Sequence, residues 1–206
     1  MGCIIYYICF VYRREILMGH FDVVAIGASA GGIRALAEVL SSLPADLPVA
    51  ILIVQHLDPG HASLIAGILQ RRCRLKVTMA EHGDIVAPSV AYIAPPDRHM
   101  MLVAGKIALM STEPVHHSRP SIDVLFDSVA ASQDGKAIGV ILTGSSIDGT
   151  AGIKAIKQAG GTTIAQDPNT AEHSIMPASA IATGMADYVL PLSEIAPAIT
   201  RLVTGK

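Results

Sequence analysis

Six consecutive apolar residues, Val49-Ala50-Ile51-Leu52-Ile53-Val54, run without a polar side chain and end on Gln55-His56. A strand points alternate residues to opposite faces, so a run this uniform fits a strand buried on both faces. That happens in a parallel sheet covered by helices on each side. The pattern recurs along the chain: strands are expected over 22–27, 49–55, 76–80, 90–94, 137–143, 162–166 and 188–190. Amphipathic helices are expected over 33–43, 62–72, 122–132, 149–159, 177–183 and 193–203, with a hairpin over 100–110 turning at Ala104-Gly105-Lys106. Such alternation predicts the α/β class: a doubly wound, mostly parallel sheet with helices on both faces and one β-hairpin.

The 206 residues suit one domain, and 51% hydrophobic against 16% charged residues excludes a disordered or fibrous chain. A net charge of −2 advertises neither nucleic acid nor an acidic membrane surface as a partner.

The first seventeen residues read differently from the rest. They hold Tyr6, Tyr7, Phe10 and Tyr12, four of the eight aromatics, and Cys3 and Cys9, two of the three cysteines. The apolar stretch from Cys3 to Tyr12 is half of the roughly 20 residues a spanning helix needs. Arg13 and Arg14 follow it, whereas a secretory signal carries its positive charges first. An interfacial anchor, an edge strand and residues upstream of the true start are the alternatives. The expectation is the last, with 1–17 an extension and 18–206 a single domain beginning at Met18. Cys73 is then alone, which fits a reducing cytoplasm and no stable membrane insertion.

Ligands of doubly wound sheets bind outside the carboxyl ends of the strands, so reactive residues just after strands carry the argument. Gly27-Ala28-Ser29-Ala30-Gly31-Gly32 satisfies G-x-S-x-G between a strand and a helix. That pattern presents a serine hydroxyl near a helix N-terminus, where free N–H groups favour a developing negative charge. An anion-binding loop and a plain glycine turn are its other readings. A dinucleotide loop would need G-x-G-x-x-G and an acid closing the second strand, where this chain has His56.

His56 ends the most apolar strand and fits a general base, since imidazole titrates near neutrality; a rim histidine bonded to a carbonyl is the bland alternative. Asp58 fits a turn before Pro59-Gly60, and His61 the following helix. After the strand at 137–143, Ser145-Ser146-Ile147-Asp148-Gly149 offers Asp148 either as the acid orienting an imidazole or as the N-cap of its own helix. His56 and His61 would not share a helix face, and His116-His117 reads as a loop, so neither a metal nor any other cofactor is expected.

At these residues the chain resembles the catalytic domain of the CheB family, chemotaxis protein-glutamate methylesterases. The resemblance rests on Ile26–Gly32, Val54-Gln55-His56, Arg119-Pro120-Ser121-Ile122-Asp123-Val124-Leu125-Phe126, Leu142-Thr143-Gly144 with Asp148-Gly149, and Ala165-Gln166-Asp167-Pro168 followed by Met176-Pro177. It implies a serine hydrolase that cleaves glutamate γ-methyl esters on the cytoplasmic helices of methyl-accepting chemoreceptors and deamidates selected glutamines. By motif, Ser29 is the nucleophile, His56 the base and acid, and Asp148 the orienting carboxylate. The N–H groups of Ala30 and Ser145 form the oxyanion hole. Arg119, Asp123 and Met176 are candidates for binding substrate, and Arg98 and His99 for touching a receptor helix.

The chain departs from the family pattern where threonine often follows the nucleophile (Ala30 here), and where methionine and glycine often stand (Ser145 and Ser146 here). No receiver domain is recognised in it, so control is expected from another chain, such as a receptor methyltransferase or a separate regulator. A non-catalytic receptor- or anion-binding module of the same fold and a general small-ester hydrolase are the rival readings.

Overall fold

The computed structural model describes residues 22–57, 64–133 and 135–205. The lead at 1–17, with its aromatics and Cys3 and Cys9, and the loop residues Asp58 and His61 lie outside the described residues. The order is β1 (Val23–Ala28), α1 (Gly32–Ser42), β2 (Ala50–Gln55), α2 (Ile65–Gln70), β3 (Lys76–Met79), β4 (Val90–Ile93), β5 (His99–Val103), β6 (Lys106–Met110) and α3 (Ile122–Gln133). Then come β7 (Ala137–Ile141), α4 (Thr150–Gln158), β8 (Thr162–Gln166), a 3-10 turn at Pro168–Thr170, α5 (Ile175–Ala182), β9 (Tyr188–Leu190) and α6 (Leu192–Thr204).

Seven strands pair in parallel in the order β3-β4-β2-β1-β7-β8-β9. β5 and β6 form a separate antiparallel hairpin. It closes through Ala104 and Gly105, both at positive φ (47° and 74°), the handedness that two-residue hairpin turns demand. β1 sits between β2 and β7, so the strand order reverses at β1, and its carboxyl end is where a doubly wound sheet opens a crevice.

The uniform apolar runs are buried as their composition requires. All six residues of β1, of β2 and all five of β7 are buried. Alternation then sorts them. Val24, Ile26 and Ala28 join the core under α1, α2 and α6, which contribute Leu36, Leu40, Leu69 and Ile199. Val23 and Ala25 face the opposite core, which holds Phe126 of α3, Ile153 of α4, Met176 of α5, and Met100 and Leu102 of the hairpin.

β7 stops two residues short of expectation because its carboxyl end is bonded differently. Leu142 N–H still reaches Gly27 O (2.9 Å) and Ser29 N–H reaches Thr143 O (3.0 Å). The Thr143 N–H instead donates to the side chain of Gln166 (2.9 Å). Among the described residues no helix is long and apolar enough to cross a membrane.

Candidate active site at the carboxyl ends of β1, β2 and β7

Ser29 follows β1, and adjacent pairing of β1 with β2 brings His56 beside it. The Ser29 Oγ lies 3.2 Å from His56 Nδ1. On the far side of the ring, His56 Nε2 lies 2.9 Å from Asp148 Oδ2. A carboxylate can only accept, so the ring carries its proton on Nε2 and turns the Nδ1 lone pair to the serine hydroxyl. That tautomer is the one able to take the Ser29 proton. The imidazole is 14% exposed and the Asp148 side chain is fully buried.

Asp148 does not cap its own helix. The N-cap of α4 is Gly149, in the left-handed region at φ 97°, and that helix start has no side-chain cap. The Asp148 carboxylate instead turns to the N-terminus of α3. Oδ1 accepts from Ser121 Oγ (2.9 Å) and Asp123 N–H (3.0 Å), and Oδ2 from Ile122 N–H (2.7 Å) in addition to His56. Burial alone would raise the pKa of this carboxyl, but these four donors outweigh it and hold it below the ordinary carboxylate value. The anion sits where a helix N-terminus favours negative charge.

This approach needs small residues on both sides of Ile122. A Cβ on Gly27 would lie 2.5 Å from the Ile122 side chain, and one on Gly149 3.0 Å from it. The two glycines let the start of α3 slide under the ends of β1 and β7.

Asp123 makes the reciprocal contact. Its Oδ1 accepts from Gly152 N–H (2.7 Å) in the first turn of α4, and His116 Nε2 lies 3.4 Å from Oδ2. Two helices thus exchange carboxylates across their N-termini. Here burial dominates and, with Asp148 close by, raises the Asp123 pKa despite the Gly152 and His116 contacts.

Of the groups expected to bind substrate, Arg119 borders a cleft of about 160 Å³ beside His56, together with Leu57, Asp97 and Pro120. Its guanidinium is already held by Asp97 (Nε–Oδ1 2.8 Å) and by Thr112 O (2.7 Å). Asp123 and Met176 lie beneath the surface, at 5% and 1% exposure. Met176 packs its sulfur against Gly144 and donates its N–H to Gly144 O (3.0 Å). Arg98 is exposed, but His99 is fully buried, which removes it from any receptor-facing surface. Among the described residues nothing accepts from the N–H groups of Ala30 or Ser145, so both remain available to an oxyanion. No cluster of metal-ligating residues occurs among the described residues.

Two supporting residues lie within the motif stretches, but the sequence assigns them no role. Gln55 donates its Nε2 to Ser29 O (2.8 Å) and to His56 O (3.0 Å), clasping the main chain of both groups. Its adjacency to His56 was the available hint. Ser121, the last residue before α3, stands in the Arg119–Phe126 stretch, but its role is not readable there because its partner Asp148 is 27 residues away.

Comparison with known proteins agrees over nearly the whole described chain. The family model described as CheB methylesterase matches residues 24–199. A protein-glutamate methylesterase/protein-glutamine glutaminase of Moorella thermoacetica is 45% identical over 189 residues, covering 89% of this chain and 45% of that protein. A counterpart in Burkholderia lata is 47% identical, covering 88% of this chain and 51% of its own length. A putative one in Leptospira interrogans is 41% identical, over 89% of this chain and 95% of that protein. The chain therefore spans about half the length of the first two relatives and nearly all of the third. The crystal structure of the Thermotoga maritima CheB methylesterase catalytic domain superposes with a TM-score of 0.85 at 40% identity, covering 88% of this chain and 98% of that one.

Proposed function

Because the chain belongs to the CheB methylesterase family, we propose that it hydrolyses glutamate γ-methyl esters on chemoreceptors, and deamidates receptor glutamines, through Ser29, His56 and Asp148. The observation that carries this reading is the hydrogen-bonded succession from Ser29 Oγ through the His56 ring to Asp148, at 3.2 and 2.9 Å.

His56 Nδ1 takes the Ser29 proton as Oγ attacks the ester carbonyl. The developing imidazolium is stabilised by Asp148, which stays ionised. The oxyanion accepts from the N–H groups of Ala30 and Ser145, donors that need no reorganisation. The tetrahedral intermediate collapses and the C–O bond to methoxide breaks. The leaving group departs as methanol with the proton from His56. Water, deprotonated by the same nitrogen, then cleaves the glutamyl-Ser29 ester and returns glutamate. With a glutamine substrate the leaving group is ammonia. Arg119, on the cleft beside His56, is the side chain we assign to contact substrate. Receptors of this kind expose their modified helices to the cytoplasm, so the enzyme works there.

The test is methanol release from methyl-esterified receptor, compared with hydrolysis of simple esters. Receptor turnover that disappears in Ser29→Ala supports the reading. Equal turnover in Ser29→Ala removes it, and activity confined to simple esters replaces the substrate with a general one. A fluorophosphonate probe that fails to label Ser29 would favour a binding module.

A further inference from the structure

Three of the four donors on Asp148 come from the consecutive residues Ser121, Ile122 and Asp123, so whatever fixes Ser121 fixes the acid. The Ser121 hydroxyl commits its only proton to Asp148 Oδ1 and accepts weakly from Val124 N–H at 3.4 Å. Its main-chain N–H is not used within α3. It donates to His99 Nδ1 at 3.2 Å. The other ring nitrogen, Nε2, donates to Glu113 O at 3.1 Å. A main-chain N–H can only donate and a carbonyl can only accept, so both partners select the same tautomer, a neutral ring protonated on Nε2.

His99 is fully buried in β5, where leaving a ring nitrogen without a partner is costly. Both nitrogens are used, and one of them holds the residue on which Asp148 rests. The hairpin is bolted to α3 further along as well. Leu102 N–H donates to Ser128 Oγ (3.0 Å), and Ser132 Oγ donates to Leu102 O (2.8 Å). Those two bonds dock β5 on the helix independently of His99. The His99 bond lies at the helix start, where it bears on the acid.

We propose that His99 is a positioning residue for the reaction, acting through Ser121 to hold Asp148 and hence the His56 ring in register with Ser29. A continuous hydrogen-bonded line runs from Glu113 O through His99, Ser121, Asp148 and His56 to Ser29. Each member has one donor and acceptor pattern compatible with its neighbours. The role rests on the triad reading above, and its test separates the two.

The experiment compares His99→Asn with His99→Gln. An asparagine oxygen falls near the Nδ1 position and can still accept from Ser121 N–H. A glutamine reaches the Nε2 position and keeps the Glu113 contact while losing Ser121. His99→Gln is expected to lower kcat about 10- to 100-fold, by analogy with the loss of outer hydrogen-bond partners at metal sites, with KM unchanged. His99→Asn recovers most of that loss. The second readout is the downfield imidazole proton resonance that vanishes on His56→Gln substitution; it shifts or broadens in His99→Gln and returns in His99→Asn. This readout needs no turnover, so it tests the inference even if Ser29-dependent activity is missing, an outcome that would count against the functional reading alone. A merely structural His99 would lower the melting temperature of both variants alike and leave kcat and the resonance in place. That result overturns the proposal. Should neither variant fold, Ser121→Ala carries the test, with the same loss of kcat and the same shift expected, and parental values of both overturning it.

Discussion

The two loops that flank the carboxyl end of the sheet are built alike and used oppositely. Both leave a buried parallel strand, β1 or β7. Both enter a helix through a left-handed glycine, Gly31 at φ 74° and Gly149 at φ 97°, with no side-chain cap at the helix start. The first keeps Ser29 at the half-buried rim, where its hydroxyl meets His56. The second turns Asp148 inward until it is fully buried and bonded to another helix. Presentation of a nucleophile is a local property of a turn. Stabilisation of a buried anion is not, because the donors must come from elsewhere.

The sharpest way to break this comparison is at the serine loop. Ser29→Ala should lower receptor ester turnover by at least about 10⁴-fold, since the residues of such a unit fail together, while thermal unfolding stays parental because the hydroxyl supports no packing. An active Ser29→Ala protein would leave the first loop an ordinary turn.

Asp148→Asn attacks the buried loop and should differ in kind. The amide leaves His56 in the wrong tautomer, worth about 10⁴-fold in kcat. It also turns a donor toward a main-chain N–H of α3, which can only donate, costing about 1–3 kcal/mol of stability. The stability lost is pH-dependent. A carboxyl with a depressed folded pKa contributes fully above the unfolded value of about 3.9 and loses that contribution as pH falls through the folded value. The parent's lead over Asp148→Asn in urea unfolding should therefore persist at neutral pH and shrink in acid. A lead independent of pH would mean that the ionised carboxylate is not what α3 holds.

Gln55 bridges the serine side. Gln55→Met removes the clasp on the Ser29 and His56 carbonyls and should slow turnover by up to about 10²-fold, the cost of a misplacement on the ångström scale. Among the described residues its Oε1 is buried without a hydrogen-bond partner, so the same change should alter stability little. A large drop in melting temperature with unchanged kcat would reverse its assignment from site to scaffold.

The smallest effect is expected at Asp123, the reciprocal carboxylate. Its raised pKa means that ionisation is disfavoured in the fold, the opposite sign to Asp148. Asparagine keeps an oxygen for Gly152 N–H and needs no charge. Asp123→Asn should leave neutral-pH stability equal or slightly higher, and a loss as large as that of Asp148→Asn would show the two acids to be equivalent.

Much of this was legible in the sequence where the cause is local. The run at 49–54 required a strand covered on both faces, and G-x-S-x-G between strand and helix marked the serine. Asp148 was the divided case. Asp before Gly at a helix start reads equally as an N-cap, and the residues that decide otherwise, Ser121 to Asp123, are brought to it only when Ile122 packs between Gly27 and Gly149. His99 illustrates the converse. A histidine opening a hairpin strand reads as a surface group, but the hairpin folds back onto α3 and buries it.

The sequence by itself determined the layers, the strands and which side chains stand at their carboxyl ends, because hydrophobic periodicity and turn chemistry act over a few residues. The tertiary structure alone decided which helix N-terminus each buried acid faces and which acid meets the histidine beside the serine. Those contacts join residues up to 92 positions apart in the chain, and they exist only once the strand order has put β1 between β2 and β7.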